Sequence, residues 1–150
     1  MKTLITIVCA LALFACQSSP SDADTDTYAM LEFRGEASSD AVGAQEFKFE
    51  EGSVLLSEAK YIKVKLYSSV DSLGLPAIGF TVADNQRENF GDYTESLKNR
   101  KLAVLVDGKI ITLPQVLGRL ENGGIISGGR EGFTEEDVNE LIASIRAETK

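Results

Sequence analysis

The sequence predicts an α+β domain, a largely antiparallel sheet with two helices packed on one face. Three observations point there. Several short segments alternate apolar and charged residues at the period of two that a half-buried strand requires, as in Glu46-Phe47-Lys48-Phe49-Glu50. Two other segments repeat apolar residues at helical spacing: Phe90, Tyr93 and Leu97, then Val138, Leu141, Ile142 and Ile145. Asp107-Gly108, set between two apolar runs, is a two-residue hairpin signal, and hairpins make antiparallel pairs.

In chain order, Met30 to Arg34 reads as a first strand, and Gly35 to Gln45, small and polar, as a loop. Glu46 to Glu50 is a second strand with both phenylalanines on one face. Glu51-Gly52 offers a turn into the short buried run Val54-Leu55-Leu56. In Tyr61 to Tyr67, Ile62, Val64 and Leu66 face one way and Lys63 and Lys65 the other. Leu73-Gly74-Leu75-Pro76 turns the chain into Ala77 to Val82, the expected hairpin partner. A helix is expected from Asp84, its N-cap, to Lys98, although Gly91 is a poor helix former in its middle.

Leu102 to Val106, apolar throughout, reads as a central strand, and Lys109 to Leu113 as its return, ended by Pro114. Gln115 to Leu120 is expected to form a short helix or turn, and Ile125-Ile126-Ser127 one more strand. The last helix is the best specified. Thr134 caps it, Asp137 is the reciprocal capping-box acid, Phe133 can staple onto Val138, and Glu135 and Glu136 load the first turn with the charge its dipole favours.

The first fifteen residues have a different purpose. Met1 and Lys2 form a short basic region, and Thr3 to Phe14 an apolar run shorter than the ~20 residues of a spanning helix. Leu13-Phe14-Ala15-Cys16 resembles the lipobox of bacterial lipoprotein precursors, which implies acylation of the Cys16 sulfur and cleavage that leaves Cys16 as the first mature residue. The competing reading is an ordinary signal peptide with an incidental cysteine. The tether-like Gln17-Ser18-Ser19-Pro20-Ser21-Asp22 favours the anchor. The expected organisation is signal peptide over 1–15, lipidated cysteine and flexible tether over 16–27, and a domain over 28–150. Gln17 stands where an Asp would signal inner-membrane retention by the enteric sorting rule, so a periplasm-facing site on the outer membrane is expected.

Composition excludes several chemistries. The chain has no histidine, and of its two cysteines Cys9 leaves with the signal and Cys16 carries lipid. Imidazole zinc sites, Ser-His and Cys-His nucleophiles, disulfides and cysteine metal sites are therefore excluded from the mature chain. The formal charge of −8 disfavours nucleic acid and anionic headgroups as partners. Glu135, Glu136 and Asp137 suggest an acid–base or metal site, but capping explains them. The glycine pairs 123–124 and 128–129 lack the strand, loop and Lys-Ser/Thr of a phosphate cradle. Lys48, Lys60, Lys63 and Lys65 read as the wet side of strands, with a peptide-binding face as the alternative. No nucleophile, base and oxyanion set emerges, so the expectation is a protein that is not an enzyme and has no cofactor, metal site or catalytic residue.

Leu75 to Ala147 resembles the head of the first extracytoplasmic domain of SecD, an accessory subunit of the bacterial Sec preprotein translocase. Pro76-Ala77-Ile78-Gly79-Phe80, the pair Phe90 and Thr94, Lys101 to Ile110 with Asp107-Gly108, Pro114, Gly123-Gly124, Ile126-Ser127-Gly128 and Phe133-Thr134-Glu135-Glu136 carry the likeness in order. Glu51 to Lys65 is similar to the turn and strand that precede them. Asn99 departs from the pattern, standing where the family usually has glycine. SecD continues into transmembrane helices, whereas this sequence ends at Lys150. The resemblance thus implies the fold and contact with exported polypeptide or Sec translocon subunits, but not proton-driven translocation. An envelope interaction or structural lipoprotein unrelated to export is the alternative.

Overall fold

The computed structural model describes residues 27–128 and 131–149. Its main sheet has six strands, β1 (Tyr28–Gly35), β4 (Lys60–Val70), β5 (Pro76–Val82), β6 (Leu102–Val106), β7 (Lys109–Thr112) and β8 (Gly123–Ile126), ordered β7-β6-β1-β4-β5-β8 with every pair antiparallel. A separate two-stranded sheet joins β2 (Gln45–Phe49) to β3 (Gly52–Leu56). The helices are α1 (Arg87–Ser96) and α2 (Glu135–Glu148). The α+β expectation, with both helices on one face, describes this architecture.

The alternation in the strands decides which face is covered. Ala29, Leu31 and Phe33 of β1, Ile62, Val64 and Leu66 of β4, and Ile78, Phe80 and Val82 of β5 point to one side, where they meet Phe90 and Leu97 next to Val138, Ile142 and Ile145 in one buried cluster. On the other side, Phe47 and Val54 of the β2–β3 hairpin pack against Leu56, Ala103 and Leu105. β6 is therefore buried on both faces, which explains its unbroken apolar run.

Local chemistry fixes the turns. Asp107 (φ 51°) and Gly108 (φ 72°) both take the left-handed conformation that a two-residue hairpin with right-twisted strands needs. Between β2 and β3 the turn falls one residue earlier than expected, on Glu50 (φ 54°) and Glu51, and Gly52 already pairs with Phe49. α2 carries its capping box as expected: Asp137 N–H donates to Thr134 Oγ1 at 3.1 Å and Thr134 N–H to Asp137 Oδ2 at 2.8 Å. The Thr134 N–H, donating to the ionised acid, holds the Asp137 carboxyl below its ordinary pKa.

Asp84 does not cap α1. It lies in a 3-10 turn, Asp84–Gln86, that runs straight into the helix, and its carboxylate pairs with Arg87 at 2.8 Å. Gln86, at the N-cap position, uses its side chain elsewhere, accepting the Lys63 N–H at 2.6 Å and so tying the helix start to β4. Nor does Gln115 to Leu120 coil into a helix. Pro114 O accepts from Leu102 N–H, Val116 N–H donates to Arg100 O, and Val116 O accepts from Asn99 N–H, all at 2.8–2.9 Å. Those bonds use backbone groups that a helix would need, and the segment crosses the structure as an extended strap.

Asn99 explains its own departure from glycine. Its φ is 67°, the left-handed region that asparagine tolerates better than other side-chain-bearing residues. Asn99→Ala is expected to cost about 1 kcal/mol in urea unfolding, and Asn99→Gly to change stability by less than roughly 0.5 kcal/mol. Equal losses in the two variants would contradict a backbone cause.

Candidate functional site

Three phenylalanines from distant parts of the sequence meet beneath the strap. Phe33 of β1 lies 5.6 Å from Phe80 of β5 and 5.0 Å from Phe90 of α1, centroid to centroid, and Phe80 lies 6.3 Å from Phe90, edge-on. These tilted and edge arrangements suit the ring quadrupoles. Beside them a groove of about 550 Å³ runs between the sheet and the strap, lined by Phe33, Phe80, Val104, Val116, Leu117 and Ile126 among others. Leu117 is 78% exposed and Ile125 47% exposed at its margin, so apolar surface continues out of it into solvent.

Two anchors hold the strap to α1. Thr94 is wholly buried, and its hydroxyl lies 3.0 Å from both Phe90 O and Gly91 O while accepting the Leu120 N–H at 2.8 Å. A hydroxyl can donate and accept at once, so it satisfies a strap N–H without opening the helix. The second anchor is Arg119, whose guanidinium pairs with Asp92, with Glu121 and, at 3.2 Å, with Glu95. Those carboxylates, Asp92 first, push its pKa further above the ordinary arginine value. The same side chain crosses Gly91 so closely that a Cβ there would lie 2.7 Å from its Cζ. Glycine in mid-helix, unfavourable by propensity, leaves room for the arginine.

β8 borders the groove. Its first residue, Gly123 (φ 139°), passes so near the Phe80 carbonyl that any side chain would collide with it. Among the described strands β8 pairs only with β5, which makes it an edge of the sheet. A larger hollow of about 840 Å³ lies beside the β2–β3 hairpin, lined by Glu36, Glu46, Glu50, Glu51 and Lys101 with a few apolar residues. It offers mostly polar surface. Among the described residues no group of three His, Cys, Asp or Glu is placed to hold a metal ion.

The residues singled out in the sequence fall in different places. Cys16 and the segments 1–15 and 16–26 lie outside the described residues. Glu135, Glu136 and Asp137 form the first turn of α2, where Asp137 closes the cap. The four lysines do not form one stripe. Lys63 and Lys65 flank the Tyr28 ring at 4.9 and 5.1 Å, whereas Lys60 stands over Tyr93 at 5.8 Å and Lys48 is on β2. The Phe90 and Thr94 pair proves to be structural, one residue packing against the Phe33 and Phe80 rings and the other clasping the roof of the groove. Sequence reading missed Arg119, whose one signal is an arginine facing two acids, Asp92 and Glu95, three apart on a helix.

Comparison with known proteins settles the family. The model of the SecDF P1 head subdomain matches residues 43–149. The chain belongs to that family. The SecDF head match begins earlier than the Leu75 to Ala147 resemblance and takes in the β2–β3 hairpin. The protein translocase subunit SecD of Aquifex aeolicus is 31% identical over 80 residues, covering 53% of this chain and 15% of that protein. SecD of Rickettsia prowazekii is 33% identical over 94 residues, covering 62% and 17%. The head domain thus spans about a sixth of the length of the curated relatives it matches. A solved structure of SecDF, a membrane component that enhances protein export, superposes with a TM-score of 0.59 at 18% identity, covering 80% of this chain and 63% of that one. SecDF in its super-membrane-facing form superposes at 0.52 and 18%, covering 75% and 17%. At such identity these two likenesses speak for the fold alone. Among the described residues no helix is long and apolar enough to cross a membrane.

The Thr94 clasp can be tested directly. Thr94→Val keeps the shape but leaves the Leu120 N–H unpaired, at an expected cost of about 1–3 kcal/mol. Hydrogen exchange should quicken across residues 114–121 while α2 stays protected. Uniform acceleration, or none, would show that the clasp does not hold the strap.

Proposed function

We propose that this chain is a lipid-anchored, periplasm-facing lipoprotein whose SecDF head domain binds extended stretches of exported polypeptide, or a partner from the Sec translocon, without catalysing a reaction. The observation that carries this is the apolar groove beside an edge strand of the sheet. An extended segment adding to β8 would gain main-chain hydrogen bonds and place alternate side chains against Phe80, Val104 and Leu117. Such recognition is tolerant of sequence, as a protein handling many exported chains requires. Kinship with translocase subunits supports the same role.

Cys16 supplies the membrane attachment in this proposal. Gln17 directs the lipidated chain to the outer membrane, which favours exported polypeptide over a translocon subunit as the partner. No nucleic acid, metal or cofactor takes part. The alternative, an envelope interaction or structural lipoprotein unrelated to export, would use the polar hollow beside β2–β3 in place of the groove.

A photoreactive amino acid at Leu117 should crosslink in living cells to exported polypeptides or translocon subunits, and one at Glu140 on α2 should not. Recovery of a single unrelated envelope protein would favour the alternative. Cys16→Ser should release the protein from membranes washed with high salt, and a variant that stays bound after that wash would remove the lipid anchor.

A further inference from the structure

The β2–β3 hairpin covers the sheet face opposite the helices over β6 and β7 and, through Phe47 against Arg34, the far end of β1. Over β1 and β4, Tyr28, Met30, Tyr61, Lys63, Lys65 and Tyr67 point outward on the same side, with Tyr28 opposite Lys65 and Met30 opposite Lys63. Tyr61 is 57% exposed, Tyr67 39% and Met30 36%. The run from Tyr61 to Tyr67 is roughly 20 Å long. Glu32, on the same face, is neutralised by Arg34 at 2.7 Å. On a chain of net charge −8, β1 and β4 carry a row of tyrosines and lysines on this face, and the one acid within these two strands, Glu32, is the one that Arg34 holds.

Tyrosine and lysine side chains share an amphipathic form, an apolar body with a polar or charged tip. Both settle at the boundary between phospholipid headgroups and acyl chains. The chain also brings a membrane to this face. The tether expected over 16–27 leads into Tyr28, which stands between Lys63 and Lys65, and twelve residues span at most roughly 40 Å. A domain held that close experiences a high effective concentration of lipid, so a weak surface affinity is enough.

We propose that the Tyr28, Tyr61, Lys63, Lys65 and Tyr67 face rests on the phospholipid bilayer to which the chain is tethered. The helices and the groove then face away from that bilayer, open to polypeptide. This inference rests on the Cys16 anchor, so its test supplies the tether by chemistry.

The chain from Cys16 onward has one thiol, and the sequence has no tryptophan. Cys16 is coupled to phosphatidylethanolamine and phosphatidylglycerol vesicles through a maleimide lipid, and Tyr61→Trp or Leu117→Trp provides the single reporter. Both positions are exposed, and circular dichroism checks that each variant is folded. Brominated acyl chains are expected to quench Tyr61→Trp several-fold more than Leu117→Trp, with a blue shift at position 61 only. Adding Lys63→Glu should remove most of that difference. Equal quenching at the two sites, stronger quenching at 117, or none at either would overturn the proposal. Because coupling does not depend on acylation in the cell, failure here is distinct from failure of the anchor, which Cys16→Ser fractionation reads separately.

Discussion

Phe33, Phe80 and Phe90 come from a central strand, its second neighbour and the first helix, and their mutual packing requires β1, β5 and α1 to meet at one place. Each aromatic pair adds about 0.5–1.5 kcal/mol beyond the area it buries, and loss of a buried phenylalanine costs about 3–5 kcal/mol, a large part of a small domain's stability. The position of α1 follows from that cluster. From it follow the positions of Thr94 and Arg119, which reach from the helix to the strap. The groove is the space left between a sheet fixed by its pairing and a strap fixed by the helix.

The two anchors differ in kind. Thr94 is fully buried, and its hydroxyl satisfies a backbone N–H that would otherwise be left without a partner, so the bond is costly to break. Arg119 pairs with carboxylates that are themselves half to two-thirds exposed, and pairs of that kind are individually weak and screened by salt. Their use is geometric. Three acids around one guanidinium set where the strap crosses Gly91 and so how wide the groove stands. The result is an apolar floor under a roof held by backbone bonds to residues 99–102 and by the Thr94 hydroxyl.

Most of the fold was legible because its signals are local. Alternation in Tyr61 to Tyr67, the Asp107-Gly108 turn and the Thr134 and Asp137 box each act within a few residues and needed no knowledge of distant partners. The failures arose where tertiary contacts override local preference. Asp84 has the chemistry of a cap, yet the 3-10 entry and the Gln86 bond to Lys63 take its place. Gln115 to Leu120 has no helix-breaking residue but Gly118, yet pairing with residues 99–102 draws it straight. The groove itself was illegible, since Phe33, Phe80, Val104 and Ile126 are individually ordinary core residues and only the topology gathers them. Asn99 and Gly91 looked like irregularities, and both turn out to be answers to backbone or packing constraints.

If the apolar groove beneath the strap receives extended polypeptide, a ligand should perturb the methyl groups that line it. The most direct measurement is a titration of the isoleucine, leucine and valine methyl resonances with an unfolded secretory polypeptide. Selective perturbation of Val104, Leu117 and Ile126, with saturation at a common ligand concentration, is the expected result. Perturbation confined to Val54 and Leu55 beside the polar hollow, or none at ligand concentrations that saturate other polypeptide-binding proteins, would contradict it.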